Sequence, residues 1–155
     1  MLFPQGYHIT FGAYGDRLPG TPKPHVDLDH NKYGEPLAPK NPVREHDCRE
    51  RMSWDPVSLT LEQRKLVESA ISDLCARYSW PIHAMAAQSD HVHVVLTANR
   101  EGKQLRNALK AAASKALNKQ YGARAWWVEN GSTKYLWETD YFHAAIKYVS
   151  DQRDF

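Results

Sequence analysis

Cysteine is scarce in this chain. Cys48 and Cys75 are the only two in 155 residues, they lie far apart, and they form no CxxC pair. A secreted scaffold of this size usually carries more, so the pair reads as reduced thiols in a cytoplasmic protein. Long apolar runs are missing too. No stretch approaches the length of a membrane span, and the opening MLFPQGYHIT has neither a basic n-region nor a long apolar h-region. A strong charge of one sign is also lacking, because 20 Lys and Arg against 18 Asp and Glu leave a net +2. That balance permits a nucleic-acid partner without demanding one, since a polyanion responds to a local basic face rather than to the total. There is no internal repeat. The proportions of charged and hydrophobic residues are those of an ordinary globular protein, and the length leads to the expectation of a single domain over 1–155.

What is present is unevenly distributed. Tyr7 to Tyr14, YHITFGAY, alternates and is rich in aromatic and β-branched types, which predicts a half-buried strand. A polar excursion follows over about 15–57 and holds seven of the nine prolines. Thr60 and Gln63 are spaced as a capping box, and Val67, Ala70, Ile71, Leu74 and Tyr78 then recur at helical spacing. Ile82 to Gln88 and His91 to Ala98 are two strand-like runs separated only by Ser89-Asp90, a tight hairpin. Leu105, Ala108, Leu109, Ala112, Ala113, Ala116 and Leu117 predict a second helix that stops at Gly122. Strand formers bracket an Asn130-Gly131 turn, and a last helix is expected over roughly Asp140 to Gln152. The order strand, helix, strand, strand, helix, strand matches the ferredoxin-like α+β plan, an antiparallel sheet with both helices on one face and a C-terminal helix appended. The other face is expected to stay open.

On the strand SDHVHVVLTA, alternation sends Val92, Val94, Leu96 and Ala98 toward the helices and His91, His93, Val95 and Thr97 toward the open face. Two imidazoles on one face at this spacing suit a single metal ion. A chain with eight histidines also produces such a pair by chance. The surrounding sequence weighs against chance.

DHVHVVL resembles the His-hydrophobic-His motif of the HUH single-tyrosine transposases of small insertion sequences and of their REP-associated relatives. The resemblance extends, in the family's order, through YHITFGAYGDRLPG, DLDHNKYGEP, LKAAASKALN and GSTKYLWE. It implies a protein that cuts and rejoins single-stranded or hairpin DNA with one tyrosine and one divalent metal, Mg²⁺ or Mn²⁺, held by the histidine pair. The family's tyrosine, followed four residues later by glutamine on a C-terminal helix, corresponds to Tyr148 and Gln152 in YVSDQ. At i and i+4 these side chains share a helix face. The implied ligands are thus His91, His93 and Gln152, the implied nucleophile is Tyr148, and the implied intermediate is a 5′-phosphotyrosine beside a free 3′-hydroxyl. A free tyrosine has a pKa near 10, so attack at neutral pH needs help, and a cation held by neutral ligands keeps its full charge to polarise a phosphate. Tyr141, two helical turns earlier, is the rival nucleophile, but it has Ala145 four residues on. The resemblance leaves open whether the tyrosine acts within one subunit or across a homodimer.

Lys103, Arg106, Lys110 and Lys115 decorate the second helix and are candidate phosphate contacts, a solvated helix face being the alternative. Trp126 and Trp127 are candidate stacking platforms for unpaired bases, and Trp137 is expected in the core. Asp27, Asp29, His30 and Asn31 lack calcium-loop spacing, and His46 with Cys48 makes only half a zinc site. Two other functions compete. A nucleotide hydrolase of the histidine-triad kind needs a third alternating histidine, where position 95 is valine. A domesticated hairpin-binding protein keeps the fold but no longer cuts.

Overall fold

The computed structural model describes residues 2–15 and 54–155. Most of the Pro-rich excursion, with Asp27, Asp29, His30, Asn31, His46 and Cys48, lies outside the described residues. Strands β1 (Gly6–Gly12), β2 (Ile82–Ala87), β3 (His91–Leu96) and β4 (Ser132–Leu136) form one sheet in the order β2-β3-β1-β4, every pairing antiparallel. Helices α1 (Leu61–Arg77), α2 (Gly102–Tyr121) and α3 (Thr139–Gln152) complete the ferredoxin-like α+β plan. Among the described residues, no helix is long and apolar enough to cross a membrane.

Local chemistry sets the helix ends. Thr60 Oγ1 accepts from the Gln63 amide while Gln63 Oε1 accepts from the Thr60 amide, the reciprocal box expected from the sequence. The Glu101 carboxylate accepts from the Lys103 and Gln104 amides and caps α2, which stops at Gly122 with φ 93°. Tyr7, Ile9 and Phe11 of β1 and Val92, Val94 and Leu96 of β3 meet Val67, Ile71 and Leu74 of α1 and Leu105, Leu109, Ala113 and Leu117 of α2 in the main core. Cys75 is buried there, and burial pushes its thiol up to about 11.

The second face departs from expectation. It is covered in part by α3, whose Val149, with Phe142, Ala145 and Ile146, packs on Ala84, Ala86, Val95 and Leu136. Positions 142, 145, 146 and 149 form an apolar helical stripe, and two alanines on β2 let the helix come close. Polar contacts fasten the end of α3. Glu68 of α1, itself buried, accepts from the Ala87 amide at 3.0 Å and pairs with Arg153 at 3.2 Å, while Arg64 pairs with Asp154 and donates to the Ala87 carbonyl.

The tryptophans exchange roles relative to the sequence expectation. Trp126 and Trp127 lie in the main core, Trp126 donating to Asn118 Oδ1 at 2.7 Å and Trp127 standing edge-on to Phe11. No base can stack on them. Trp137, expected inside, is 52% exposed and lies beside Tyr135 in a near-parallel stack, because it follows the last residue of the edge strand β4. The turn at Asn130 (φ 69°) and Gly131 (φ 143°) is present, but the run before it contributes only an isolated bridge, Ala13 to Trp127, rather than a hairpin strand.

Replacing Val149 with alanine removes the centre of the contact between α3 and the sheet. We expect a loss of about 1–3 kcal/mol in unfolding free energy, measured by urea denaturation. An effect indistinguishable from zero would show that α3 is not anchored by this side chain.

Candidate active site

The histidine pair owes its orientation to the turn before it. The Gln88 amide donates to the His91 carbonyl at 2.8 Å and closes a turn over Ser89-Asp90, and the Ala13 amide donates to the Asp90 carbonyl at 2.8 Å. This fixes which β3 residues face α3. His91 and His93 do, with ring centroids 4.6 Å apart and planes at 89°. His93 is only 6% exposed, buried rather than displayed on an open surface. The reason lies on β1 and α3.

Thr10 pairs with His93 across β1 and β3, and His8 pairs with Val95. Directly opposed residues share a face, so His8, Thr10 and His93 converge. Thr10 Oγ1 stands 3.0 Å from His93 Nδ1, His8 Nε2 stands 3.2 Å from the same nitrogen, and Thr10 Oγ1 and His8 Nε2 are 3.5 Å apart. Burial, reinforced by the charge of Lys134, lowers the pKa of His8. This imidazole is therefore neutral at physiological pH. Beside His91, Asp90 Oδ1 lies 2.6 Å from Nδ1, at ion-pair distance but away from the line of a ring N–H hydrogen bond.

Helix α3 brings the tyrosine. The ring of Tyr148 is centred 5.7 Å from that of His93 and 6.0 Å from that of His8, all within one chain. Tyr148 is 50% exposed, so it lies against the histidines with one side open to solvent, while the next residue, Val149, is fully buried. The rival Tyr141 is more exposed still, and the Tyr135 hydroxyl is turned away, accepting from the Gly102 amide at the start of α2. Gln152 is reached by Gln88, whose Nε2 donates to the Gln152 carbonyl at 3.0 Å and to Gln152 Oε1 at 3.3 Å. Gln88 is opposite His91 in the hairpin, which places Gln152 at the same end of the sheet as the pair.

Among the described residues, no three His, Cys, Asp or Glu side chains are grouped to hold a metal ion. The donors at this end of the sheet include the imidazoles of His91 and His93, the Asp90 carboxylate beside His91, and the Gln152 amide oxygen, which accepts from Gln88. Such a set fits a cation that keeps several positions for water or phosphate oxygens, as Mn²⁺ and Mg²⁺ do.

The basic residues singled out on α2 divide into two groups. Arg106 is buried and donates to Thr133 Oγ1 at 3.1 Å, and Lys110 Nζ donates to the carbonyls of Val128 and Asn130, so both serve the protein's own turn and edge strand. Lys103 and Lys115 are exposed. They lie across the sheet from the histidines. Lys134, opposite His8 on β4, is an exposed cation on the histidine side and was not singled out from the sequence. Its signal, alternation with Leu136, becomes readable only when β4 is known to pair with β1. His8 and Thr10 were missed for the same reason.

A family model for IS200-like transposases matches residues 56–153. No curated protein matches the chain. Among solved structures, a REP-associated tyrosine transposase bound to a REP hairpin is similar at a TM-score of 0.57 and 12% identity, the match covering 96% of this chain and 66% of that one. The chain thus spans just under two thirds of that neighbour. A protein from Deinococcus radiodurans R1 assigned as a transposase is similar at 12% identity and a TM-score of 0.49, with 100% and 95% covered. The structural likeness speaks to fold; the family match takes in more than half of the chain and includes the histidine pair, Tyr148 and Gln152, and by it the chain belongs to the IS200-like transposase family.

Proposed function

We propose that the protein is a single-strand DNA endonuclease and strand transferase acting on hairpin-forming DNA, with Tyr148 as nucleophile. The observation that carries this reading is the position of the Tyr148 ring, beside His8 and His93 of its own chain. One subunit then supplies both nucleophile and histidines. The hairpin substrate is carried over from the REP hairpin bound by the structural neighbour.

In the proposed reaction the Tyr148 oxygen attacks a backbone phosphorus. The new O–P bond forms as the P–O3′ bond breaks, giving a 5′-phosphotyrosine and a 3′-hydroxyl. The phenolic proton leaves to solvent and the departing 3′-oxygen gains one. Attack by that hydroxyl, or by another, reverses the step and releases Tyr148 without ATP. His91, His93 and the Gln152 amide oxygen would hold a divalent cation, which when bound supplies positive charge to the scissile phosphate. The sheet and α3 fix the tyrosine beside the histidines, and a phosphate bound there would meet a nucleophile already in place, which is the larger part of what a fixed nucleophile contributes. Lys134 lies where a backbone phosphate beside the site would be met. Lys103 and Lys115 can reach only DNA that extends past the sheet, as a hairpin stem does, and Trp137 with Tyr135 offers exposed rings in place of Trp126 and Trp127.

Tyr148→Phe keeps the ring and removes the attacking oxygen. We expect loss of Mn²⁺-dependent nicking and of the covalent adduct, with hairpin binding within about twofold of wild type. Mass spectrometry of the trapped adduct reads the site directly, and an adduct on Tyr141 or Tyr135 overturns the assignment. No adduct with any hairpin tested, alongside retained binding, favours the non-cutting hairpin-binding relative. That alternative has one observation in its favour, the engagement of Gln152 Oε1 by Gln88.

Replacing His91 and His93 together with alanine should abolish Mn²⁺ uptake in calorimetry while the fold survives, because both side chains point away from the main core. Unchanged uptake removes the metal reading. Lys134→Ala should weaken single-strand binding and reduce the slope of log affinity against log salt by roughly 0.7, the contribution of one single-strand phosphate contact. A slope equal to that of wild type excludes Lys134 from phosphate contact.

A further inference from the structure

Nothing in the family match assigns a role to His8 and Thr10, and their geometry goes beyond the reading of the histidine pair as ligands. We infer that His8 and Thr10 are positioning residues that hold His93 in the tautomer carrying its proton on Nδ1, which leaves Nε2 as the coordinating atom. The inference rests on the metal-site reading given above, and it concerns atoms that never touch the cation.

Three polar atoms meet behind the His93 ring at 3.0, 3.2 and 3.5 Å. A threonine hydroxyl has one proton to give, and a neutral imidazole has one donor nitrogen and one acceptor nitrogen. A relay uses each donor once. His93 Nδ1–H donates to Thr10 Oγ1, Thr10 Oγ1–H donates to His8 Nε2, and His8 carries its own proton on Nδ1. The opposite relay would place a lone pair on His93 Nδ1 and a proton on Nε2, and a protonated Nε2 cannot coordinate. A histidine ligand needs its second nitrogen held by a partner of fixed orientation, and here that partner is a half-buried hydroxyl backed by a buried imidazole.

The burial of the two imidazoles strengthens the case. His8 is 8% exposed and His93 6%, so water has little access to the space between the two rings. A polar side chain at position 8 would be costly inside the fold without a hydrogen-bond partner, and the partner it has is the nitrogen that sets the ligand's tautomer. The same imidazole lies against Tyr148. His8 thus forms one wall of the space that the tyrosine enters, and a change there reaches both the ligand and the nucleophile.

The test uses the full chain labelled with ¹⁵N. Long-range ¹H–¹⁵N correlation of the imidazoles, with His93 assigned by comparison to His93→Gln, reads the tautomer without metal, DNA or activity. We expect the Nδ1–H form in wild type. His8→Leu and Thr10→Val remove the two partners separately, so that one remains informative if the other fails to fold. Each should mix the His93 tautomers and weaken Mn²⁺ binding about ten- to a hundredfold. His8→Gln, whose Oε1 can stand in for Nε2 as acceptor, should restore most of the affinity and the Nδ1–H form. Wild-type His93 protonated on Nε2 overturns the inference. So does an unchanged tautomer with unchanged Mn²⁺ affinity in folded His8→Leu and Thr10→Val. If wild-type protein takes up no Mn²⁺, the metal-site reading fails instead, and the tautomer measurement still decides what His8 and Thr10 do.

Discussion

The site depends on α3 lying against the second face of the sheet. Tyr148 stands beside the histidines because its neighbour Val149 is buried among Ala84, Ala86, Val95 and Leu136. The adjoining alanines matter as much as the valine. Larger side chains at 84 and 86 would lift the helix away and carry the tyrosine with it. A second constraint acts at the helix end, where Glu68 joins the Ala87 amide of β2 to Arg153 just beyond Gln152. Packing and charge thus fasten the same helix at two points, one next to the tyrosine and one next to the glutamine.

Between α3 and the sheet lies a polar cluster in largely apolar surroundings. Low local dielectric strengthens each hydrogen bond there and raises the cost of an unmatched one, which favours a single arrangement of the rings. The arrangement is also braced from outside. The turn at Gly131 presses so closely on β1 that a Cβ there would fall 2.5 Å from the Thr10 carbonyl, and Lys110 ties that turn to α2 through the Val128 and Asn130 carbonyls. A lysine that reads as a phosphate contact in sequence therefore helps hold the strand that carries Thr10.

Much of this was legible in the sequence where the signal is local. The capping box at Thr60 and Gln63, the Gly122 stop, the two-residue turn and the alternation of β3 each depend on neighbours within a few residues, and each appears as read. The contacts that were misread depend on strand order. Nothing near Trp137 reveals that β4 is an edge, and nothing near Trp126 reveals that it packs under α2. The covering of the second face had one signal that went unused: β2 is apolar at both parities, with Met85 and Ala87 toward one side and Ala84 and Ala86 toward the other, as a strand buried on both faces should be. His8 and Thr10 share a parity on β1, but their meeting with His93 follows only from the register of β1 against β3. The ligand and nucleophile assignments came from resemblance, and the structure shows that His93 and Tyr148 meet while Gln152 engages Gln88.

The two-residue turn at Ser89-Asp90 carries a consequence for how this sequence can vary. Insertion of one residue there, with the rest of β3 held in place, would leave His91 and His93 where they are and force the odd residue into the turn. A slip of the strand itself would send both imidazoles into the apolar core and bring Val92 and Val94 out beside the tyrosine. The site therefore rests on a parity. Changes that shift β3 by an even number of positions preserve which side the histidines occupy, while an odd shift inverts the whole strand at once, so loss of the site and loss of the core would arrive together.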